Sequence, residues 1–292
     1  MSVDLAPIES RTCIVRSTGA RRGRNVSVTP QNSAARHLHF GRIVLDGDAV
    51  TFNTGELETA LLCLRGKAVV TPSVSEGPGG AGGATPDRPG ASLTLGVTEL
   101  SRYDAIYIPR ETSVTVSGSC DLAEIAAPVS KKYPLQVVRF ADVQNDPSLH
   151  FHTGGPSSER DVNIVIGKNV DAGRILAGVT FSRPGNWTSW PPHEHASMLE
   201  EAYLYIDMPA PNWGVQFVYN DPANPELVTV VHDGDVVLMP QGYHPNVSAP
   251  GSSINFLWMM AAIREGDDRQ FGVVNVQPEY AQGGSGLEAS RK

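Results

Sequence analysis

Short apolar or alternating runs recur along the whole chain, and no stretch keeps a helical period for more than a turn or two. Clear examples lie at residues 60–64, 105–108, 176–181, 202–206 and 255–261. Gly and Pro, with 29 and 22 residues, separate these runs throughout, which favours short strands joined by turns. The pattern therefore predicts an all-β fold, either an antiparallel sandwich or a barrel.

The two halves of the chain carry a faint internal repeat. TGELETALLCLRG at residues 54–66 precedes YDAIYIPRETSVTVSG at 103–118, and EEAYLYIDM at 200–208 precedes GDVVLMPQGYHPNVSAPG at 234–251. In each half an acidic residue is followed by an apolar strand, a turn and a strand that ends in Pro. A duplicated β-barrel would give this pattern, although two unrelated β-rich stretches can also share such words.

Composition shifts divide the chain further. Residues 73–92 are rich in Gly, Pro and Ala and cannot supply core, so we expect a mobile loop there. The polar stretch at 144–160 is expected to cross between the halves. We therefore predict a first barrel over residues 1–150, a second over 151–280, and a flexible tail over 281–292.

Charge and cysteine content restrict the classes of partner. The 292-residue chain has a formal net charge of −8, which argues against binding to a nucleic-acid backbone. No apolar run is long enough to span a membrane, and the first residues do not resemble a secretory signal. Cys13, Cys63 and Cys120 lie far apart with no CxxC spacing. A reduced, cytoplasmic setting is the simplest interpretation.

One constellation of residues points to chemistry. His193 and His195 are two apart, so on a strand both imidazoles face the same way. Glu200 and Glu201 begin the next apolar run, and His244 follows a later strand and turn. Three neutral imidazoles and one carboxylate suit a first-row divalent metal with one or two open positions. A lone H-x-H is commonly two solvated side chains, but the co-occurrence of all these residues favours a metal centre.

The other histidines lack this context. His37 and His39 also form an H-x-H, but no Glu follows at short range and no His follows Pro109. His150 and His152 lie in the crossover stretch, where we expect solvation. We therefore predict that the first barrel holds no metal.

The sequence segments around the metal-binding pattern resemble those of a known family. They are NWTSWPPHEH at 186–195, LEEAYLYIDM at 199–208, GVQFVY at 214–219, DGDVVLMPQGYHPNVSAPG at 233–251 and LWMMAAIRE at 257–265. Their general form is that of a cupin. Their particular form is similar to the bacterial 5-deoxy-glucuronate isomerases of myo-inositol catabolism. These words cover most of residues 160–275, and the first half matches more diffusely.

The resemblance implies two tandem cupin barrels with a metal in the C-terminal one. It also implies an aldose–ketose isomerisation that converts 5-deoxy-D-glucuronate to 5-dehydro-2-deoxy-D-gluconate. Two details depart from the family pattern: the loop between His195 and the Glu pair is short, and Ala262 stands where a Gly is usual. Zinc is the first choice of metal, with Mn, Fe, Co and Ni as alternatives.

The identity of the metal-binding Glu is open from the sequence. General cupin spacing, counted from His195, selects Glu200. The isomerase of 5-keto-4-deoxyuronate is a similar relative, and its Glu directly precedes a Val-Tyr pair, which selects Glu201. Strand phase also places Glu201 on the face of Tyr203. We predict Glu201 as the ligand, with Glu200 as the alternative and otherwise as a partner of a ligating imidazole.

The implied reaction moves a hydrogen between C1 and C2 of an open-chain sugar acid. An enediol route needs a group that carries a proton, whereas a metal-assisted hydride shift does not. The candidates for this role are Glu200, Tyr203, Tyr219, Tyr243 and a metal-bound water.

The substrate carboxylate requires a cation, and an Arg fork binds a carboxylate with two hydrogen bonds. Arg174, at the start of the strand that leads to the H-x-H, is the first choice, and Arg264 and Arg183 are further candidates. Gln216 is a candidate for binding the substrate, but it and Tyr219 face opposite sides of their strand unless a bulge intervenes, so only one of them can face the pocket. For each arginine, a solvated position on the surface is individually the more common outcome.

Two other functions share the predicted fold. A cupin dioxygenase would use the same ligands with iron and oxidise an aromatic substrate, and a binding cupin would carry out no chemistry. Oxygen uptake, metal content and turnover of a sugar acid separate the three. A homodimer is expected because the exposed edges of sheets need cover.

Overall fold

The computed structural model of the chain describes residues 5–75 and 92–281. Most of the Gly-rich segment 73–92 and the tail after residue 281 lie outside the described residues. The elements of the first half are, in chain order, α1 (Ser10–Cys13), β1 (Ile14–Val15), β2 (Gly23–Val28), β3 (His39–Asn53), β4 (Leu57–Ser75), β5 (Ser92–Thr94), β6 (Thr98–Leu100), β7 (Ala105–Ile108), β8 (Ser113–Pro128), β9 (Gln136–Val138) and α2 (Phe140–Asn145).

The second half continues with shorter strands and one terminal turn of 3-10 helix, Pro278–Tyr280. Its strands are β10 (His150–Thr153), β11 (Arg160–Ile166), β12 (Ile175–Ser182), β13 (Trp187–Thr188), β14 (His193–Glu194), β15 (Leu199–Tyr205), β16 (Gly214–Val218), β17 (Leu227–Val231), β18 (Val236–Met239), β19 (Asn246–Ser248), β20 (Phe256–Ala262) and β21 (Asn275–Val276).

All pairings between these strands are antiparallel, and the predicted all-β fold is confirmed. The first half forms one sheet in the order β2-β3-β8-β4-β7-β9, with β5 and β6 also paired to β4. The second half has a large sheet, β1-β18-β15-β20-β12-β11-β10, a smaller sheet, β13-β19-β16-β17, and the pair β14-β21. Each half thus folds as a barrel of two strand layers.

In the first barrel three long strands, β3, β4 and β8, contribute to both layers. Each bends near its middle, where the register shifts between strands. Gly66 and Gly118 have positive φ at this bend, and a Cβ on either would lie 2.1–2.5 Å from a backbone oxygen of the facing strand. The interior is filled by aliphatic side chains such as Leu61, Ile106 and Leu122.

Alternation along β4 explains how the two barrels join. Leu61 and Cys63 face the interior of the first barrel, whereas Ala60 and Leu62 belong to a second core that continues into the C-terminal barrel. Because successive side chains of a strand point to opposite faces, one strand serves both cores. The large sheets of the two barrels therefore pack against each other.

Two buried glutamates fasten this contact reciprocally. Glu58 of β4 accepts backbone hydrogen bonds from Gly173, Arg174 and Ile175 at 2.6–2.8 Å, at the start of β12. Glu200 of β15 accepts backbone hydrogen bonds from residues 36–38, just before β3. Each barrel thus supplies a carboxylate to the backbone that opens a strand of the other.

This symmetry aligns the internal repeat residue by residue. The LETA segment of β4 corresponds to the LEEA segment of β15. Strand β4 lies between β8 and β7 in its sheet, and β15 lies between β20 and β18 in the equivalent order. Thr59 pairs with Ile108, and Glu201 pairs with Met239, and in both cases a Pro follows the paired residue. The first barrel therefore carries Thr at the position where the second carries Glu201.

The sheets do not divide the chain at one point. Ile14 and Val15, near the N-terminus, pair with Val237 and Val236 of the C-terminal sheet. Strand β9, which follows the first barrel, pairs back with β7. The boundary near residue 150 stays a prediction. Strand β1 precedes this boundary in the sequence but belongs to a sheet of the C-terminal barrel.

Cys13, Cys63 and Cys120 are buried free thiols. Among the described residues, no helix has the length and apolar content needed to cross a bilayer.

Candidate metal centre

Three histidines from two segments of the C-terminal barrel meet at one point. His193 lies in β14, His195 follows it directly, and His244 lies in the loop between β18 and β19. One ring nitrogen from each lies within 4.8 Å of the others. His195 and His244 are 4% and 2% exposed. Buried imidazoles that converge in this way are typical ligands of a divalent metal.

The tautomer of each imidazole follows from its hydrogen bonds. The Nδ1 atoms of His193, His195 and His244 lie 2.9–3.0 Å from the backbone carbonyl oxygens of Pro191, Leu199 and Gly242 respectively. A carbonyl oxygen can only accept, so each Nδ1 carries a hydrogen. The lone pair of each neutral imidazole is therefore on Nε2, and the backbone orients all three rings as metal ligands.

Glu201 completes the set. Its Oε2 lies 3.1 Å from Nε2 of His195 and 3.1 Å from Nε2 of His244. Neighbouring ligands of a metal with bonds of about 2.0–2.1 Å are separated by roughly 3–3.4 Å, so this spacing fits one ion. Nε2 of His244 is buried and has no hydrogen-bond partner of good geometry. A buried polar atom left in this state is explained by an ion bound there.

The protonation states also suit a cation. Burial and the two neighbouring imidazoles lower the pKa of His193 to about 3. Burial alone would raise the pKa of Glu201, but the adjacent imidazoles of His195 and His244 lower it to about 2. Glu201 is therefore ionised and His193 neutral at neutral pH, the forms that bind metal. The residues present fit a divalent metal.

The centre lies in a cavity inside the C-terminal barrel. The floor holds His193, His195 and Glu201, with Tyr203 beside them. The remaining wall is largely apolar, and its apolar side chains are Phe151, Val162, Leu199, Phe256, Trp258, Met260, Phe271, Val273 and Val274.

Tyr203 is the one proton-transfer candidate that lines this cavity within the described part of the chain. Its hydroxyl lies 2.6 Å from Oγ of Ser189, which also lines the cavity. Burial and the nearby charge of Glu201 raise the pKa of Tyr203 well above its usual value. Its hydroxyl therefore stays protonated and acts as a hydrogen-bond donor rather than a base.

Glu200 lies away from the centre. It precedes Glu201 on the same strand, so its side chain points to the opposite face, where it binds the amides of residues 36–38. It is therefore neither the alternative ligand nor the partner of a ligating imidazole, and it cannot carry a proton to a substrate in the cavity.

Three further predicted residues lie behind the cavity wall. The hydroxyl of Tyr219 donates to Gln277, and the ring of Tyr243 packs against the ring of Tyr219. Gln216 is fully buried, and its amide donates to the carbonyls of His244 and Pro245. Gln216 thus holds the loop of a metal ligand, but it does not line the cavity.

The predicted arginines are engaged elsewhere as well. Arg174 donates to the backbone carbonyls of Pro128, Ala262 and Ile263, which locks the junction of the barrels. Arg264 has an exposed side chain and pairs with Asp268. Arg183 is also exposed and pairs with Asp161. Each guanidinium serves the fold or the surface rather than the cavity.

His37, His150 and His152 lie outside the centre. His37 is near the positive charges of Arg174 and Arg36, and burial with these charges lowers its pKa to about 4. His150 contacts Asn163, and His152 contacts Asp161.

The structure adds Arg160, which the sequence analysis did not identify. Arg160 opens β11 and lines the cavity of the metal centre. The available signal was its strand phase, because Val162 and Ile164 on the same face are buried core residues.

Comparisons with known proteins give the family of this chain. The model of the KduI/IolB family matches residues 13–276. The 5-deoxy-glucuronate isomerase of Geobacillus kaustophilus is 29% identical over 262 residues, which cover 86% of this chain and 89% of the relative. The 5-deoxy-glucuronate isomerase of Bacillus subtilis strain 168 is 27% identical over 245 residues, which cover 80% and 84%.

Solved structures give the fold. An IolB-like protein from Salmonella typhimurium superposes with a TM-score of 0.73 at 22% identity, covering 92% of this chain and 98% of that one. A Bacillus subtilis oxalate decarboxylase, a protein with Mn(II) centres, has a TM-score of 0.58 at 11% identity and covers 87% and 78%. The chain thus has the two-barrel cupin fold, and by the match to its family model it belongs to the KduI/IolB family and is an isomerase.

Proposed function

We propose that the protein is a metal-dependent aldose–ketose isomerase that converts 5-deoxy-D-glucuronate to 5-dehydro-2-deoxy-D-gluconate in myo-inositol catabolism. The observation that carries the metal dependence is the convergence of three imidazoles, each held by a carbonyl at Nδ1, with the carboxylate of Glu201 beside two of them. The names of the relatives support the substrate. We place the enzyme in the cytoplasm, and a homodimer stays a prediction.

Different residues of the chain hold the metal and exclude water. His193, His195, His244 and Glu201 would hold the ion, with zinc as the first choice among the divalent metals that such ligands accept. When bound, the metal supplies Lewis-acid stabilisation of negative charge on the substrate oxygens at C1 and C2. The apolar wall excludes water and so strengthens electrostatic interactions within the cavity.

Tyr203 donates a hydrogen bond to a substrate oxygen as the hydrogen moves from C2 to C1. Its hydroxyl is fixed by Ser189 in the wall beside the ligands, so the donor is already in place when charge develops. Because its pKa is raised, it retains its proton until the substrate oxygen has gained negative charge.

Tyr203→Phe is expected to lower kcat by about 10²-fold, the usual cost of removing one such donor. Metal content should be unchanged, because the hydroxyl is not a ligand. Steady-state kinetics with elemental analysis measure both. Tyr219→Phe is the matched control, since its hydroxyl contacts Gln277 outside the cavity, and its kcat should stay within about threefold of the wild type. Equal losses in the two variants would contradict the role of Tyr203.

A substrate panel tests the proposed function. The purified enzyme is incubated with 5-deoxy-D-glucuronate or with 5-keto-4-deoxyuronate, and products are identified by NMR while an electrode follows oxygen. We expect conversion of the first acid to its ketose with no oxygen uptake. Preference for the second acid would overturn the substrate assignment, and oxygen uptake with an aromatic substrate would favour a dioxygenase.

A further inference from the structure

Arg160 is a buried cation in the cavity of the metal centre. It is 5% exposed, and it lines the cavity together with His193, His195 and Glu201. Few arginines in proteins are buried to this extent unless an anion accompanies them. The environment of Arg160 therefore indicates what the cavity binds.

Among the described residues, the acceptors that contact this guanidinium are neutral. Nη1 donates to the carbonyl of Ser158 at 2.8 Å, and Nη2 donates to the carbonyl of Trp190 at 2.7 Å. Across residues 5–75 and 92–281, no carboxylate lies within ion-pair distance of Arg160. The two carbonyls fix the plane of the guanidinium, but no described residue supplies a counter-charge to it.

An uncompensated buried charge is costly, and a ligand that brings a negative charge recovers that cost on binding. Burial lowers the pKa of Arg160 to about 10, so the side chain is still a cation at neutral pH. A planar guanidinium held from two sides is well suited to a carboxylate or another planar oxyanion. The rest of the wall, with Phe256, Trp258 and Met260, suits a carbon chain.

We propose that Arg160 binds the carboxylate of the substrate and so selects sugar acids over neutral sugars, while the metal ligands receive the carbonyl end. This inference rests on the proposed function and deepens it. It assigns Arg160 the role that the sequence gave to Arg174 or Arg264. Since the carboxylate does not react, its binding anchors the chain so that C1 and C2 are held at the metal ligands.

The test uses Arg160→Gln and Arg160→Lys in the metal-loaded enzyme. For 5-deoxy-D-glucuronate we expect Arg160→Gln to raise KM at least 50-fold with a smaller change in kcat. Arg160→Lys, which keeps the charge but loses the fork, should raise KM about 10-fold. Arg183→Gln is the matched control, since Arg183 is an exposed arginine near the same sheet, and its KM should not change.

Binding is measured separately, by calorimetry, with two unreactive probes. One is the substrate acid reduced at C1 to the alcohol, and the other is the neutral polyol in which the carboxylate is also reduced. Arg160→Gln should weaken binding of the acid at least 50-fold and binding of the polyol less than threefold. Metal content and melting temperature show whether the variant is folded. If Arg160→Gln does not fold, binding of the acid and the polyol is compared in Arg160→Lys instead.

The outcomes separate the two proposals. Equal weakening of the acid and the polyol, or an unchanged KM for the acid, would overturn the role of Arg160. If the wild type binds the reduced acid through Arg160 but does not isomerise 5-deoxy-D-glucuronate, the proposed substrate fails and the assignment of Arg160 as the anion site stands.

Discussion

His244→Ala is expected to lower kcat/KM by on the order of 10³-fold or more and to leave the purified protein without stoichiometric metal. The substitution removes one of three imidazole ligands, and the Lewis-acid contribution to the barrier is several kcal/mol. The fold should persist, because Gln216 binds the backbone carbonyl of His244 and not its ring. Elemental analysis, circular dichroism and steady-state kinetics on the same preparation measure the three properties.

His152→Ala serves as the control for this experiment. Its ring contacts Asp161 near the surface, outside the cluster of ligands. Metal content and turnover should match those of the wild type. His193→Ala repeats the test at an independent ligand. A folded His244→Ala or His193→Ala protein with full turnover would rule out the assigned centre.

The second large effect concerns two adjacent glutamates, because substitution of Glu201 should affect the metal and substitution of Glu200 should affect stability. Glu201→Gln is expected to lower metal affinity and turnover by on the order of 10²–10³-fold, because the amide carries no charge and is a poorer ligand. Its melting temperature in the absence of metal should change little, since Glu201 fastens no backbone segment. Metal titration and differential scanning calorimetry measure the two effects.

Glu200→Gln is expected to show the reverse. The carboxylate of Glu200 accepts three backbone hydrogen bonds from residues 36–38, and an amide cannot accept them all. Buried donors left without a partner cost about 3 kcal/mol, a fall on the order of 5–10 °C in melting temperature. Metal content and kcat of the folded protein should be retained. Loss of metal in Glu200→Gln with retention in Glu201→Gln would show that the two roles are exchanged.

The sequence was sufficient to predict the parts of the fold and site that depend on local periodicity. The all-β fold followed from short alternating runs, and two-residue spacing placed His193 beside His195. Strand phase placed Glu201 and Tyr203 on one face, and the structure shows both in the cavity. The internal repeat was visible as a pattern, and the pairing of Thr59 and Glu201 with equivalent strands gives it a register.

The roles that failed depend on contacts between distant segments. Glu200 and Arg174 were candidates because of their charge, but each is engaged by backbone at the junction of the barrels. Gln216 is buried, but its amide donates to the carbonyl of His244 and it does not line the cavity. Spacing along one strand gives the face of a side chain, but not which segment packs against that face.

Arg160 was missed for a related reason. A lone charged residue at the start of a strand is usually exposed, and the strand phase that Arg160 shares with Val162 and Ile164 is a weak signal against that expectation. Its burial depends on the carbonyls of Ser158 and Trp190, and the second of these comes from a loop 30 residues away. Only the closed barrel brings this cation into the cavity of the metal centre.

Titration of metal into chelated enzyme tests the central claim most directly. The protein is stripped of metal, zinc is returned in steps, and bound metal and turnover of 5-deoxy-D-glucuronate are measured on each sample. Four ligands around one point predict that turnover rises in proportion to bound metal and reaches its limit at one ion per chain. Full turnover in protein from which the metal has been removed would contradict the account.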